Sequence, residues 1–500
     1  MLAQVKNKQR EHRKPIIRSV KFNVVMNMIL TSSSFIFPLI TVPYASRVLG
    51  TSGVGAVAFA QSIINYCSLF AVMGISVYGV RECAKIRDDR QKLSKTVQEL
   101  LIILFCTTSI IYFIFLVALF TVPSFTSQKQ LMLIFSFGIW LISFGVDWFY
   151  QAIEQYGYIT VRNIAFKFLS LLLMFILVHK QSDYRMYGLI TVVASYGSNI
   201  LNILRLRNYI SFKKSGKWEF KKHFRPMLNF TVSNISSGLY SQIDIVMLGL
   251  IGTTSMVGIY QLAFKIKNVL GTAIGSVASV MLPRLSYFKK VGKGSEFNLL
   301  LAKNFSFIFA TGCSLMSICI ICSKEIVLLM GGSQFLDSAF PLIVISPVLI
   351  FSPFNLLLTQ YMVAQGKEKI CARVDSMTLI LSLLLSFVLI HEFKVIGAAF
   401  SIVVAEFGSM IVRIFLARDF CSYLVSETKM YRTAVACVLA TCGATFIHLQ
   451  IFDLQPVPQL GITVVAYGLI LITLLFVFHD YFVSIFLEPI FAKFYVKKTD

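Results

Sequence analysis

Long apolar runs recur along the chain and are separated by short polar connections. Three clear runs are Leu100–Thr121, Ile164–Val178 and Gly461–Phe478. About 20 apolar residues in a helix span the roughly 30 Å hydrocarbon core of a bilayer. Membrane β-strands would be shorter and would alternate between apolar and polar residues. The pattern therefore predicts an all-α polytopic membrane protein.

Hydropathy and the loop positions predict about fourteen transmembrane helices. The predicted spans are 20–44, 54–80, 98–122, 130–152, 159–179, 187–207, 227–251, 255–282, 300–322, 338–361, 370–391, 395–417, 431–449 and 460–483. The tenth span contains Pro341, Pro347 and Pro353. Because proline removes a helix hydrogen bond, we expect this span to be kinked or broken.

The composition agrees with a membrane protein. The 500 residues are 57% hydrophobic and only 14% charged, whereas soluble domains carry about 25% charge. The basic N-terminus leads directly into a full-length span, so we do not interpret it as a secretory signal. Most of the ten cysteines lie in predicted spans, where cysteine behaves as a small hydrophobic residue. We therefore expect no metal site, no cofactor and no disulfide framework.

Positive charge predicts the orientation of the chain. Of the 46 Lys and Arg residues, 37 lie in the two termini and one set of alternate connections, and 6 lie in the other connections. Basic connections stay in the cytoplasm, so both termini are predicted to be cytoplasmic. The net charge of +23 then reflects loops beside anionic lipid headgroups, and no nucleic-acid partner is needed.

The chain resembles itself across two halves. An offset of 211 residues places Arg162 on Arg373, and an offset of 203 places Gly55 on Gly258. Spans 1–6 thus match spans 7–12 as parallel repeats, which predicts two six-helix bundles around a central cavity, plus two C-terminal helices. The predicted segments are a basic cytoplasmic N-terminus 1–19, a first bundle 20–207, a basic linker 208–226, a second bundle 227–417, helices 13 and 14 in 418–490, and a cytoplasmic tail 491–500.

Polar residues recur at intervals of three and four in the first two spans of each half. The stripes contain Asn23, Asn27, Thr31 and Ser34 in span one, Gln61, Asn65 and Ser68 in span two, Asn229, Ser233 and Ser237 in span seven, and Gln261, Lys265, Asn268 and Thr272 in span eight. One such stripe is equally compatible with a contact between packed helices. Four stripes favour a shared, hydrated cavity.

Several ionisable residues lie within the spans, where a charge is expensive. The acidic ones are Asp147, Asp244, Asp375 and Glu406, each a candidate for a structural ion pair or for binding a coupling ion. The basic ones are Lys167, Lys265 and Lys267, with Arg47 at the end of span one. Snorkelling to the interface would explain Arg47 and Lys167 better than Lys265.

Pro38 and Pro43 interrupt span one and are hinge candidates, with a static kink as the alternative. The chain contains no P-loop, HExxH or GxSxG motif. A transporter rather than an enzyme is therefore predicted.

Several motifs resemble one family. They are FPLITVPYASRVLG at 37–50, GISVYGVRE at 74–82, DWFYQ at 147–151, DIVMLG at 244–249 and MLPR at 281–284. Together they resemble the Wzx-type flippases of O-antigen and capsular polysaccharide repeat units, within the multidrug/oligosaccharidyl-lipid/polysaccharide exporter superfamily. The chain departs from the family at Gln151-Ala152, where Gln-Gly is usual.

The resemblance implies a function. Such flippases move undecaprenyl-pyrophosphate-linked oligosaccharides from the inner to the outer leaflet of the bacterial plasma membrane by alternating access. Arg47-Val48-Leu49-Gly50 matches the Arg-x-x-Gly turn of the related peptidoglycan-precursor flippases. The cavity candidates are Arg47, Asn27, Asn65, Gln61, Arg81, Gln151, Lys265 and Asn268, with the arginines and the lysine guiding the anionic head. Membrane lipid, H+ or Na+ as a coupling ion, and the polysaccharide polymerase machinery are the implied partners.

Three other functions are weighed against this one. A multidrug or cation antiporter would have an acid-rich cavity, whereas these stripes also hold lysines. A membrane glycosyltransferase, polymerase or ligase would need a long outer loop, and no predicted outer loop is long enough. A peptidoglycan lipid-precursor flippase would differ in that its loss is lethal.

Overall fold

A computed structural model describes residues 18–213, 216–279 and 282–483. These residues form helices and short connections, and no β-strand occurs within these three ranges. The all-helical prediction is confirmed. The predicted cytoplasmic tail, and the predicted N-terminal segment up to residue 17, lie outside the described residues.

Contacts divide the chain into two compact units, with the division between Gly258 and Ile259. The helices that begin in the first unit are α1 (Val20–Val72), α2 (Ile75–Lys85), α3 (Arg90–Thr121), α4 (Pro123–Thr126), α5 (Lys129–Ser143), α6 (Asp147–Ala152), α7 (Tyr156–Leu177), α8 (Tyr184–Val192), α9 (Asn199–Leu206), α10 (Phe220–Tyr240), α11 (Ile243–Ile251) and α12 (Thr254–Ser279). The predicted boundaries of the two bundles remain predictions.

The second unit contains the remaining helices. They are α13 (Leu282–Val291), α14 (Gly294–Ile321), α15 (Ser323–Gly331), α16 (Ala339–Ile345), α17 (Val348–Ala364), α18 (Glu368–Leu416), α19 (Arg418–Thr428), α20 (Met430–Gln450) and α21 (Pro456–Val477). One core cluster of this unit packs α20 and α21 around Cys437, Ala440 and Tyr467.

Helix α1 contains the first predicted span and most of the second, which was predicted to reach residue 80 but is interrupted after Val72, before α2 begins at Ile75. Helix α1 has 53 residues, which at about 1.5 Å per residue is roughly 80 Å and more than twice the bilayer core. Gly50 interrupts its helical geometry with φ 66° and ψ −177°, a conformation that glycine adopts without a Cβ clash. Pro38 and Pro43 both lie inside the helix, so the marked break falls at Gly50, after both hinge candidates.

Polar side chains cap the N-termini of two of the long helices. The Ser19 hydroxyl accepts a hydrogen bond from the Phe22 amide at 3.3 Å and so caps α1. The Asp89 carboxylate accepts the amides of Gln91 and Lys92 at 3.1 Å and caps α3. These bonds, the one from the Lys92 amide first, lower the pKa of Asp89. Both caps satisfy amides that have no partner within the helix.

Nine helical segments among the described residues are long and apolar enough to cross a membrane. The pair Ser333–Ile345 and Val348–Ala364 makes a tenth and is bent by 44°, which confirms the kink predicted for the tenth span. Helix α18 has 49 residues with a non-helical residue at Lys394, so it too has the length of two spans. The full count of fourteen remains a prediction.

Candidate functional site

A lysine ammonium lies on the polar stripe of α1. Lys167, on α7, donates to the hydroxyls of Ser33 at 2.9 Å and Ser34 at 3.1 Å. Those hydroxyls donate to the carbonyl of Leu30, which directs their oxygen lone pairs to the ammonium. None of the ion pairs formed among the described residues includes Lys167. The stripe therefore holds a positive charge that no protein anion of the described chain neutralises.

Two predicted stripe residues of span two are brought together by a tyrosine. The Tyr196 hydroxyl donates to Asn65 Oδ1 at 2.7 Å, and Gln61 is a further hydrogen-bonding neighbour of that hydroxyl. Asn65 Nδ2 donates to Gln242 Oε1 at 3.3 Å. Tyr196 belongs to a π-helical turn, Val193–Gly197, a geometry that is frequent at functional sites.

Asp147 is the centre of a second polar cluster. Its Oδ1 accepts hydrogen bonds from Arg162 Nη2 at 2.8 Å and from Asn202 Nδ2 at 2.7 Å. The Arg162 side chain is 1% exposed and the Asp147 side chain is 40% exposed. Asp147 therefore provides a negative partner for the buried Arg162 guanidinium, while part of its own carboxylate remains exposed.

That surface faces a cavity of about 180 Å³. Its polar lining includes Asp147, Gln151, Asn199 and Ser76. The Asn199 amide group donates to the Leu141 carbonyl at 3.0 Å. Carboxylate, amide and hydroxyl groups converge on a space large enough for a few waters or for the hydroxyls of a ligand.

A break in the backbone places Asp147 at this cavity. Helix α5 ends at Ser143 and α6 begins at Asp147. Between them Val146 has a φ of 44°, which is strained for a β-branched residue. The freed carbonyl of Gly145 accepts Asn202 Nδ2. Discontinuous helices of this kind form the binding sites of many transporters.

The second unit has its own arginine–carboxylate pair. Arg413 Nη2 donates to Asp375 Oδ1, and its Nε donates to the Thr359 hydroxyl at 3.2 Å. Arg373, which the repeat aligns with Arg162, is exposed instead. Each unit therefore contains a buried arginine paired with an aspartate, but the arginines are not the aligned residues.

The other two acidic candidates, Glu406 and Asp244, are buried in the protein. Glu406 accepts a hydrogen bond from Asn355 Nδ2 at 2.7 Å. Asp244, in the first turn of α11, is 3% exposed. Arg413 and Asn202 were not among the candidates identified from the sequence. Both are polar residues within apolar helices, and that signal could have identified them.

The remaining candidates occupy varied positions. Arg47 is exposed, and its Nη1 donates to the Pro43 carbonyl at 3.1 Å. Asn27 and Arg81 are exposed, whereas Lys265 and Asn268 on α12 are partly buried. The side chains of Asn229 and Ser233 lie outside those described.

Known proteins resemble this chain in sequence and in fold. The family described as "Polysaccharide biosynthesis protein" matches residues 20–289. The "Putative O-antigen transporter" of Escherichia coli strain K12 is 25% identical over 394 residues, 78% of this chain and 94% of that protein. The "Capsular polysaccharide biosynthesis protein CapF" of Staphylococcus aureus is 25% identical over 268 residues, 52% of this chain and 67% of that protein.

Two solved structures share the fold. The lipid II flippase MurJ in an inward closed conformation superimposes with a TM-score of 0.66 at 16% identity, covering 91% of this chain and 99% of that chain. An inward-facing MATE multidrug transporter superimposes with a TM-score of 0.61 at 14% identity, covering 81% and 99%.

The described helices give the chain a multi-span membrane architecture, and the proteins that it resembles are named as transporters or flippases. The chain belongs to the polysaccharide biosynthesis protein family, whose match covers more than half of its length. The family predicted from the sequence motifs is thereby confirmed.

Proposed function

We propose that the protein is a flippase that moves undecaprenyl-pyrophosphate-linked oligosaccharide repeat units across the plasma membrane of a bacterium. The units would pass from the inner to the outer leaflet, for O-antigen or capsular polysaccharide. The observation that carries this proposal is the uncompensated Lys167 ammonium on the polar stripe of α1, in a chain of the polysaccharide biosynthesis family. The names of its relatives, an O-antigen transporter and a capsular polysaccharide protein, agree with it.

The side chains suit the three parts of such a substrate. A pyrophosphate is anionic and favours a cation such as Lys167 or Arg47. The amides of Asn65 and Gln151 can exchange hydrogen bonds with sugar hydroxyls. The polyprenyl tail needs no polar site because it is soluble in the bilayer. In this proposal, the positive side chains attract the pyrophosphate head, whereas the neutral amides can form hydrogen bonds with different sugars.

Transport is proposed to use alternating access, with both termini in the cytoplasm and with H+ or Na+ as the coupling ion. In this scheme Arg47, Lys265 and Arg81 guide the anionic head. Arg47 and Arg81 are exposed, and Lys265 is partly buried. Neutralising both Arg47 and Lys265 is expected to stop export, and full export by that double variant would contradict the guiding role.

The decisive experiment locates the lipid-linked oligosaccharide in cells that lack the protein. A membrane-impermeant lectin or glycosidase is applied to spheroplasts and to inverted vesicles. We expect completed units to accumulate on the cytoplasmic leaflet and to be released when the gene is restored. Units that reach the outer leaflet normally without the protein would contradict the proposal and redirect attention to drug efflux.

A further inference from the structure

The chain that enters α10 is bound along one face of α3. This face, the linker-binding face, consists of Ser94, Lys95, Gln98 and Glu99, which lie on the same side of a helix. The Ser211 amide donates to the Ser94 hydroxyl at 2.9 Å. Gln98 Nε2 donates to the Lys213 carbonyl at 3.1 Å. The sequence predicts residues 208–226 to be a linker between bundles, yet these polar contacts hold its first part on the first unit.

A buried relay then fixes the start of α10. Glu99 Oε1 accepts the Glu219 amide at 2.7 Å, and Glu99 Oε2 lies 2.8 Å from His223 Nε2. The other ring nitrogen of His223 lies 2.7 Å from the Tyr78 hydroxyl. Tyr78, Glu99 and His223 are each no more than 3% exposed. The relay thus joins α2, α3 and α10 through one histidine.

A partly exposed ion pair lies beside the relay, because Glu219 contributes its amide to the relay and its carboxylate to the pair. Lys95 Nζ donates to Glu219 Oε1 at 2.7 Å, and this hydrogen bond is the largest cause of the lowered pKa of Glu219. We define the latch as Tyr78, Lys95, Glu99, Glu219 and His223.

The latch is strong while closed and is able to open. Removing one partner of Glu99 would leave a buried carboxylate without compensation, which is strongly unfavourable. When the whole contact separates, however, water replaces every hydrogen bond, and the net cost of each exchange is small. Phe220 and Met227 of α10 also pack against the apolar cluster that includes residues of α2 and α3, so opening the latch separates apolar as well as polar contacts.

We propose that the latch holds the start of α10 against α2 and α3 in this conformation and opens during the transport cycle. The holding part stands by itself, whereas the opening part rests on the proposed transport function. Helix α10 begins the second predicted repeat, so its release would let that repeat change position.

Limited trypsin digestion of the purified full-length protein in nanodiscs tests the holding part. Lys217, Lys221 and Lys222 are exposed trypsin sites beside the latch. A closed latch protects them because cleavage requires local opening. Glu99→Gln removes a charge-assisted bond and should speed cleavage there by about tenfold or more. The control Glu296→Gln, which disrupts the exposed Lys293–Glu296 pair at the start of α14, should leave the rate unchanged.

Equal cleavage rates in wild type and Glu99→Gln would overturn the holding part. Lys95→Ala provides a milder second variant in case Glu99→Gln does not fold. It removes the partly buried ion-pair partner of Glu219 and should also speed cleavage, by a smaller factor. Cleavage at wild-type rate in Lys95→Ala as well as in any folded Glu99→Gln would count against the latch.

A reversible crosslink tests the opening part. Lys95→Cys and Glu219→Cys, joined by a short bis-methanethiosulfonate reagent, would keep the latch closed. We expect leaflet translocation to stop in the crosslinked protein and to return after reduction, with each single variant unaffected by the reagent. Translocation at the same rate before and after reduction would overturn the opening part. Absence of translocation by the wild type would contradict the proposed function and leave the trypsin result valid.

Discussion

Gly55 and Gly258 contact each other where neither position has room for a side chain. A Cβ on Gly55 would lie 2.6 Å from the Gly258 amide nitrogen and 1.7 Å from the Thr254 carbonyl oxygen. A Cβ on Gly258 would lie 1.9 Å from the Thr51 carbonyl oxygen. The offset of 203 residues that aligns Gly55 with Gly258 also aligns Thr51 with Thr254. The contact is therefore reciprocal.

Hydroxyl pairs beside the glycines repeat this exchange. Thr51 Oγ1 lies 2.8 Å from Ser255 Oγ, and Ser52 Oγ lies 3.0 Å from Thr254 Oγ1. The offset of 203 residues relates Thr51 to Thr254 and Ser52 to Ser255, so it converts each hydroxyl pair into the other. Two equivalent segments that meet across a two-fold axis produce this pattern, as expected for the proposed repeats.

Gly55→Ala is expected to separate these two segments, because a methyl group cannot fit against the Thr254 carbonyl. Disulfide formation between Thr51→Cys and Ser255→Cys, whose native hydroxyls are 2.8 Å apart, measures the separation. We expect rapid crosslinking in the otherwise unchanged chain and at least about tenfold slower crosslinking with Gly55→Ala, since 1.4 kcal/mol of distortion shifts a population tenfold. Gly461→Ala is the control because nothing lies within 4 Å of its added Cβ. Equal rates in all three proteins would contradict the close approach.

Lys167→Gln should reduce translocation by about tenfold, the loss expected when one charge-assisted contact to a phosphate disappears. Lys167→Arg keeps the charge and should retain most of the activity. The matched control is Lys180→Gln, at an exposed position between α7 and α8. Leaflet translocation in vesicles is the readout, with protein amount measured in parallel. If Lys167→Gln flips substrate at the wild-type rate, Lys167 does not contact the head.

Asp147→Asn should destabilise the protein by about 3 kcal/mol, because it leaves the buried Arg162 guanidinium without its carboxylate. Adding Arg162→Met removes the orphaned charge and should recover most of that loss. Thermal unfolding in detergent measures both variants, and Asp419→Asn, whose side chain is 99% exposed, is the control. A double variant that regains stability but does not transport would assign Asp147 a role beyond the ion pair. If the single variant unfolds at the wild-type temperature, the pair is not structural.

Cysteine labelling tests the predicted orientation. Ser127→Cys lies in a connection predicted to be outside, and Lys367→Cys lies in one predicted to be cytoplasmic; both positions are exposed. The native exposed Cys106 and Cys442 are first replaced by serine. A membrane-impermeant maleimide added to intact cells should label residue 127 alone, and disruption of the membrane should add residue 367. The reverse pattern would invert the proposed topology.

The sequence by itself determined the helical class, the membrane environment and the bend in the tenth span. These follow from local requirements. A chain in lipid must satisfy its backbone hydrogen bonds within each segment, so an apolar run of sufficient length becomes a helix wherever it packs. Pro347 lacks an amide hydrogen, and the 44° bend falls between Ile345 and Val348. The sequence motifs likewise identified the family, because they are contiguous in the chain.

Only the tertiary structure decided which side chains meet. Lys167 and Ser33 are 134 residues apart, and Asp147 and Asn202 are 55 apart. The repeat offset pointed from Arg162 to Arg373, yet Arg413 is the residue that pairs with Asp375. A polar residue in a span needs a partner, but its own sequence does not say which of several neighbouring helices supplies one. That choice depends on how the helices pack, a property of the whole chain rather than of any one segment.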